Sequence, residues 1–334
     1  MTRHGSILRY ALIGAAIGMP YGYAVSASTG VHALLGGIVG AVTGALIGIA
    51  ILLIETLLGQ ARLGETLHRA PFALHIAVKA GIYLVIIGLA LAAGQYFVLR
   101  RPPSSITGGD ILFSVGGAVA IAFLIDINRL LGQNVLLNFV TGRYYRPRLE
   151  ERVFLFIDMK SATSFAEQLG PVQFHRLVNR FVSDLTEPIV ARKGEIYRYV
   201  GDEVIATWLG PAGLEQARCV QAYFEAIDHL AALAQDYERH FGRPVNVRGA
   251  LHSGPVVAGE IGSIKKEIAF LGDTVNTAAR IEELSHRADH ALIASADVLD
   301  RLVLPPEFRK QSLGRMRLRG KDREIEIYAI EKAG

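Results

Sequence analysis

Long apolar stretches in the first part of the chain constrain its fold more than any other feature. They cover residues 7–25, 31–54, 73–99 and 111–125. A helix needs about twenty residues to cross a bilayer, so the first three are long enough, and the fourth must recruit residues 105–110 or cross with little tilt. Only 12 charged residues fall in the first 130 positions, although the chain has 35 Lys and Arg and 31 Asp and Glu. Residues 1–128 are therefore predicted to form an all-α domain of about four transmembrane helices.

Basic residues flank these stretches unequally. Arginines occur before or at the start of the first stretch, between the second and third, and after the fourth: Arg3, Arg9, Arg62, Arg69, Arg129, Arg143, Arg146 and Arg148. The opposite connections carry only Arg100 and Arg101. Because cytoplasmic loops are enriched in basic residues, the pattern predicts a multi-pass protein of the cell inner membrane, surrounded by membrane lipid, with a cytoplasmic N-terminus and C-terminal half. No basic stripe with interleaved aromatic residues occurs in the sequence, so no nucleic-acid partner is expected.

Glycines recur at every fourth position of the first two stretches: Gly14, Gly18 and Gly22, then Gly36, Gly40, Gly44 and Gly48. With 3.6 residues per turn, each set lies on one helix face and allows another backbone to approach closely. The two helices are therefore predicted to pack against each other. Lys79, near the start of the third stretch, is expected to extend its ammonium group to the inner interface.

Residues 129–150 connect the apolar half to the rest of the chain. Apolar side chains recur there at helical spacing until Thr141-Gly142 interrupts them, and Arg146-Pro147 excludes one continuous helix. The segment is interpreted as a coupling linker between the membrane domain and a catalytic domain of residues 151–334. Two roles stay open for it, a passive tether at the membrane surface and an element that sets the geometry of a dimer.

The second half begins with an almost continuously apolar strand, residues 153–157, which ends at Asp158. A helical pattern follows, and then two short strands are joined by a turn at Gly201-Asp202. Another helix and another strand complete the order strand–helix–strand–strand–helix–strand, which is typical of an α+β fold of ferredoxin-like type. In that topology the end of the first strand lies beside the tip of the hairpin. Asp158 and Asp202 are therefore expected to converge.

Two carboxylates at one sheet edge repel each other unless a cation lies between them. Oxygen ligands favour Mg²⁺ or Mn²⁺, and a pair of such ions can support phosphoryl transfer. The sequence thus predicts a nucleotide site with two metal ions, held by Asp158 and Asp202 with the backbone carbonyl of Ile157 as a further ligand. Asn276 and Arg280 lie four residues apart on one face of a predicted helix, where they can orient a ribose and stabilise charge on a phosphoryl group.

Four segments in this order resemble the class III nucleotidyl cyclases: FIDMKSAT, RYVGDEVIATW, RGALHSGPVVAGEIG and FLGDTVNTAARIE. The resemblance covers about residues 150–331. It implies that Asp158 and Asp202 hold two metal ions, that Asn276 orients the ribose and that Arg280 stabilises the transition state. It also implies a head-to-tail homodimer, with Asn276 and Arg280 supplied by the opposite subunit, and attack of the ribose 3′-oxygen on the α-phosphate with release of pyrophosphate.

The positions that select the base depart from the family pattern. Adenylate cyclases of this class usually have Lys four residues before the second metal-binding Asp and Asp or Thr three residues before the Gly of the Asn–Arg motif; here these positions hold Arg198 and Ala269. Guanylate cyclases prefer Glu and Cys there. Lys321 falls near the family's triphosphate-binding basic residue. The resemblance therefore implies a membrane-bound adenylate cyclase acting on ATP, with two alternatives: a guanylate cyclase using GTP, or a catalytically silent membrane receptor with a cyclase-like dimer domain.

Overall fold

The computed structural model describes residues 3–28, 32–60, 72–93, 107–132, 135–286, 290–319 and 324–333. The chain divides into two compact units, Met1–Leu131 and Gly132–Gly334. The predicted role of residues 129–150 as a coupling linker stays a prediction.

The described residues of the first unit include four helices, one in each apolar stretch. They are α1 (Arg3–Ser28), α2 (Ala33–Gln60), α3 (Phe72–Ala93) and α4 (Gly108–Leu131). Within the described residues, two segments are long and apolar enough to cross a membrane, Ala33–Ile54 and Gly108–Asn128, and a shorter apolar segment covers Ala77–Ala90. The all-helical character of this unit agrees with the sequence, whereas its crossing of a membrane four times stays a prediction.

The glycine faces of α1 and α2 bring the two backbones into direct contact. A Cβ atom added to Gly14 would lie 1.9 Å from the carbonyl oxygen of Gly44, and one added to Gly18 would lie 2.1 Å from that of Gly40. These separations are far below van der Waals contact, so glycine is required at both positions for the observed approach. The prediction that the two helices pack against each other is confirmed.

Lys79 does not extend to an interface, so the expectation for this side chain was wrong. It lies on α3, is 2% exposed, and donates from Nζ to Oδ1 of Asp126 on α4 at 2.9 Å. A charge among apolar helices is stabilised by an opposite charge within hydrogen-bonding distance, which is why the pair forms inside the unit. The sequence did not indicate this partner because Asp126 lies 47 positions further along the chain.

The second unit is an α+β domain built on one mixed sheet. Its elements are α5 (Val135–Val140), β1 (Arg148–Met159), α6 (Ala162–Ala191), β2 (Glu195–Val200), β3 (Glu203–Leu209), α7 (Pro211–Leu214), a 3₁₀ turn (Glu215–Ala217), α8 (Arg218–Ala232), α9 (Ala234–Phe241), β4 (Val247–Ile261), β5 (Glu267–Leu271), α10 (Asp273–Ser285), β6 (Leu292–Ser295), α11 (Ala296–Leu299), β7 (Phe308–Arg317) and β8 (Glu324–Lys332). The strand order is β2-β3-β1-β4-β6-β8-β7, and β5 pairs with β4. The first four strands have the predicted ferredoxin-like order.

Two apolar cores lie on the two faces of this sheet, and β1 contributes to both. Val153, Leu155 and Ile157 belong to the core that also contains side chains of α6, α8 and α9. Phe154 and Phe156 belong to the core that contains Ala278 and Ile281 of α10. Because side chains alternate along a strand, Asp158 follows Phe154 and Phe156 onto the face covered by α10.

Two elements differ from the sequence-based expectation. The strand expected over residues 245–253 extends much further, as β4 reaches Ile261 and pairs along its length with β1 and then β5. The helix expected over residues 213–240 is broken near its start, where Gln216 and Ala217 both have positive φ. Neither residue is glycine, so the hydrophobic pattern gave no sign of the left-handed backbone that interrupts this helix.

Candidate active site

Asp158 stands at the end of the central strand β1, between two other strands. Its Cα partners are Glu203 on β3 and Arg248 on β4. The residue is 8% exposed. The preceding apolar run buries the strand on both faces, so the carboxylate is held on a rigid element. Ile157, the predicted backbone ligand, is fully buried next to it.

Asp202 lies in the two-residue turn that joins β2 to β3. Val200 pairs with Glu203, and Gly201 has φ 64°, a left-handed conformation that glycine adopts at no steric cost. Since Glu203 pairs with Asp158, the turn is brought beside the end of β1. The pKa of Asp202 is raised, first by burial and then by the negative charge of Asp158 and a hydrogen bond with it. The structure thus brings Asp158 and Asp202 together.

Two further carboxylates enlarge this acidic cluster. Burial raises the pKa of Glu203 to about 7, and the negative charges of Glu282, Asp158 and Asp202 add to the effect. Burial also raises the pKa of Glu282, although His286 partly opposes the shift. The negative charge of Asp158 contributes to the raised pKa of Asp202, Glu203 and Glu282, and a cluster of this kind is a candidate site for a cation.

Two basic side chains balance the cluster in the structure. Arg248 donates from Nε at 2.9 Å and from Nη2 at 2.6 Å to Oδ2 of Asp158. The Nε2 atom of His286 lies 2.6 Å from Oε1 of Glu282 and 3.6 Å from Oδ2 of Asp158. One ligand atom each of Asp158, Glu282 and His286 lies within 4.8 Å of the others. The residues that could hold a metal ion therefore include Glu282 and His286 beside the two predicted aspartates.

Asn276 and Arg280 lie on α10 as predicted, but on a different face from the acidic cluster. At about 100° per residue, they are separated by about 40° around the helix axis, whereas Glu282 lies about 200° beyond Arg280. Glu282 is the residue of this helix that reaches the cluster of its own chain. Asn276 is exposed and Arg280 is half-buried. The helix thus presents its Asn–Arg pair away from the carboxylates it helps to surround.

The two predicted base-selecting positions lie on neighbouring strands. Arg198 on β2 donates from Nη2 to Oε1 of Glu267 on β5 at 2.5 Å. Ala269 follows two residues after Glu267, pairs with Gly259 of β4 and is 3% exposed. The structure therefore brings Arg198 next to the strand that carries Ala269. Lys321 lies outside the described residues.

Four side chains of this region were missed by reasoning from the sequence: Glu203, Glu267, Glu282 and His286. Glu203 follows Asp202 directly, and Glu267 shares a strand face with Ala269, so adjacency and alternation could have indicated both. Glu282 and His286 are four residues apart on a helix, which places them on one face. Arg248 was quoted within a motif but given no role, because its contact with Asp158 depends on the cross-strand register.

Comparison with known proteins bears on the family and the fold. A statistical description of the adenylate and guanylate cyclase catalytic domain matches residues 144–332. Adenylate cyclase 2 of Rhizobium meliloti (strain 1021) is 30% identical over 332 residues, which are 97% of this chain and 90% of that protein. Retinal guanylyl cyclase 1 of Homo sapiens is 28% identical over 214 residues, 62% of this chain and 19% of that protein. The solved structure of the adenylyl cyclase CyaB from P. aeruginosa superposes with a TM-score of 0.51 at 19% identity, covering 57% of this chain and 97% of that one, and supports the fold alone.

Proposed function

Because the chain belongs to the adenylate and guanylate cyclase catalytic domain family, we propose that it converts ATP to 3′,5′-cyclic AMP and pyrophosphate. The observation that carries the proposal is the convergence of Asp158 and Asp202 at one edge of the sheet, within a fold of this family. The similarity to Adenylate cyclase 2, which extends over both halves of the chain, supports ATP as the substrate.

The acidic cluster fits divalent cations. Its donors include the carboxylates of Asp158 and Asp202, and the charge of Asp158 raises the pKa of Asp202, so a bound positive charge between them would be favoured. Mg²⁺ or Mn²⁺, two per site, would be held by these aspartates and the carbonyl of Ile157, and would supply charge stabilisation for the attacking and leaving oxygens. The guanidinium of Arg248 lies at this edge of the sheet. If a metal ion replaced it as the partner of Asp158, it could donate hydrogen bonds to a phosphate oxygen of the substrate.

The site is proposed to be shared between two copies of the chain in a head-to-tail homodimer. Within one chain, α10 directs Glu282 towards the cluster and Asn276 with Arg280 away from it. A second copy related by a two-fold axis can supply the missing pair to each cluster, which gives two equivalent sites. Asn276 would then orient the ribose so that its 3′-oxygen faces the α-phosphate, and Arg280 would stabilise the charge that develops there.

A membrane location for the first unit is part of the same proposal. Two described segments are apolar and long enough to cross a membrane, and the distribution of arginines favours a cytoplasmic N-terminus and catalytic unit. ATP and the second subunit would then be met in the cytoplasm. Extraction of cell membranes with alkaline carbonate should leave the full chain in the pellet, and its release into the supernatant would contradict the membrane part of the proposal.

Mixing two inactive variants tests the shared site. Asp202→Ala removes a metal ligand and Arg280→Ala removes the transition-state cation, so each full-length variant should be inactive alone. After co-expression, half of the dimers are mixed and each has one intact site, so about a quarter of the wild-type activity is expected. Failure of two folded, dimerising variants to restore any activity would count against the composite site.

A further inference from the structure

A cavity of about 620 Å³ opens in the second unit, on the side of the sheet opposite α10. Its wall is formed by α6, α8 and the chain at the start of β4. Four of the lining side chains belong to the apolar core on that side of the sheet: Phe165, Leu230, Val245 and Val247. Cavities that hold organic ligands in proteins measure about 300–1,000 Å³ and are mostly apolar. The size and the wall of this cavity therefore suit a small organic molecule.

Two basic side chains, Lys160 and Arg243, line the cavity, and none of its described lining residues is acidic. Within the part of the chain that the structure describes, neither of them forms an ion pair with a carboxylate. By contrast, the guanidinium groups of Arg152 and Arg192 in the same unit are each paired with glutamate side chains. The cavity thus combines an apolar wall with positive charge that its own described lining does not balance.

Arg243 is held in place but lacks hydrogen-bond acceptors. Its guanidinium lies over the Phe165 ring, 3.9 Å from the centroid, and Nη2 donates to the backbone oxygen of Ser161 at 3.4 Å. Nε is buried and has no acceptor among the described residues. A buried donor without an acceptor raises the free energy of the folded protein. An anion bound beside the guanidinium would stabilise this charge.

The two segments that carry the cations are joined to each other. The backbone N–H of Lys160 donates to the carbonyl oxygen of Asn246 at 2.8 Å, and Asn246 follows three residues after Arg243. Lys160 also comes two residues after Asp158, at the end of β1, but the apolar wall of the cavity lies on the other face of the sheet from the acidic cluster. The cavity is therefore adjacent to that cluster along the chain without being part of it.

We propose that this cavity binds an organic carboxylate, with the apolar body of the ligand against Phe165 and Leu230 and its carboxylate held by Lys160 and Arg243. Ammonium and guanidinium groups donate charge-assisted hydrogen bonds to a carboxylate. An inorganic anion would leave the apolar wall uncovered, and an uncharged molecule would leave both cations without a partner. An anion with an apolar body satisfies both parts of the site.

Two compounds of the same shape separate the role of the charge from that of the apolar body. The full-length chain in lipid nanodiscs is titrated by calorimetry with naphthalene-2-carboxylate and with its uncharged amide, and the heat from empty nanodiscs is subtracted. The carboxylate should bind about tenfold or more tightly than the amide, because it adds charge-assisted hydrogen bonds to the two cations. No nucleotide is present, so the result does not depend on the cyclase activity.

Substitutions around the cavity locate the binding. Lys160→Met and Arg243→Met should each weaken binding of the carboxylate about tenfold and change the affinity for the amide less than about twofold. Arg243→Lys, which keeps the charge, should retain more of the carboxylate affinity than Arg243→Met. Ala231→Trp adds a large ring at an exposed lining position of α8 and should abolish binding of both compounds.

Lys310→Met is the matched control. Lys310 lies on β7, where its Nζ atom is 5.0 Å from the centroid of the Tyr328 ring, and it is not among the residues that line the cavity. This substitution should leave both affinities unchanged. Equal affinity of the unchanged chain for the carboxylate and the amide, or no binding of either, would overturn the proposal without recourse to any variant. Carboxylate binding that is unchanged in both Lys160→Met and Arg243→Met would overturn it as well.

Discussion

At the scale of single residues, an ion pair with Arg248 explains why a carboxylate at the end of β1 is tolerated in a buried position. Asp158 is 8% exposed, and its charge is balanced by Arg248 on the neighbouring strand. A buried charge is stable when its partner lies in good geometry, and removing that partner destabilises the folded state. Arg248 therefore supplies one positive charge next to Asp158. Unlike a metal ion, it cannot be coordinated by several oxygen atoms at once.

Asp158→Asn tests the importance of the negative charge at this position. The amide has the same shape and can still accept a hydrogen bond from Arg248, so the fold should be retained. Loss of a direct metal ligand should lower activity by about 100-fold or more, since even residues that only orient a ligand are worth about 10- to 100-fold. Initial rates with Mn²⁺ and circular dichroism spectra would measure the two effects.

Asp228→Asn is the control for this substitution. Asp228 forms an exposed ion pair with Lys332, and such pairs contribute little to stability. Its activity and its spectrum should match those of the unchanged chain. Asp158→Asn activity within about twofold of wild type at saturating Mn²⁺ would show that Asp158 is not a metal ligand.

Among the secondary-structure elements, β1 and the β2–β3 hairpin could be predicted because local patterns determine them. A continuous apolar run predicts a buried strand, and Gly201-Asp202 predicts a tight turn. Their juxtaposition followed from the topology. The ion pair of Arg198 with Glu267 and that of Lys79 with Asp126 could not be predicted, because each depends on side-chain contacts between distant segments. Residues far apart in the chain show no local pattern that identifies them as partners.

The contact between α1 and α2 gives a prediction at the same scale. In Gly18→Ala the new methyl group would lie 2.1 Å from the carbonyl oxygen of Gly40, so the helices must separate and lose their packing. The thermal midpoint of the first unit in detergent should fall by several degrees, measured by loss of helical circular dichroism in the full-length chain. Gly88→Ala on α3 is the matched control, because an added Cβ there meets nothing within 4 Å. Its midpoint should stay the same or rise, as alanine favours helix more than glycine. Equal midpoints for the two variants would contradict the packing role of Gly18.

For the whole molecule, the sequence allowed both halves and the family to be predicted, while the site was predicted only in part. The two aspartates and the Asn–Arg helix follow from motifs, whereas Glu203, Glu267, Glu282 and His286 emerge from packing. On α10, Glu282 lies towards the acidic cluster of its own chain, while Asn276 and Arg280 lie on another face of the helix. This separation is the structural basis of the proposal that the Asn–Arg pair completes the site of a second copy.

The identity of the product tests the proposed function most directly. The purified full-length chain, incubated with Mn²⁺ and equimolar ATP and GTP, should form 3′,5′-cyclic AMP and pyrophosphate in equal amounts, with cyclic GMP as a minor product or none. Chromatography of the products against authentic standards gives the answer in one experiment. Cyclic GMP as the main product would show that the base assignment is wrong. Absence of both cyclic nucleotides from a folded, dimeric chain would contradict the proposed function as a whole.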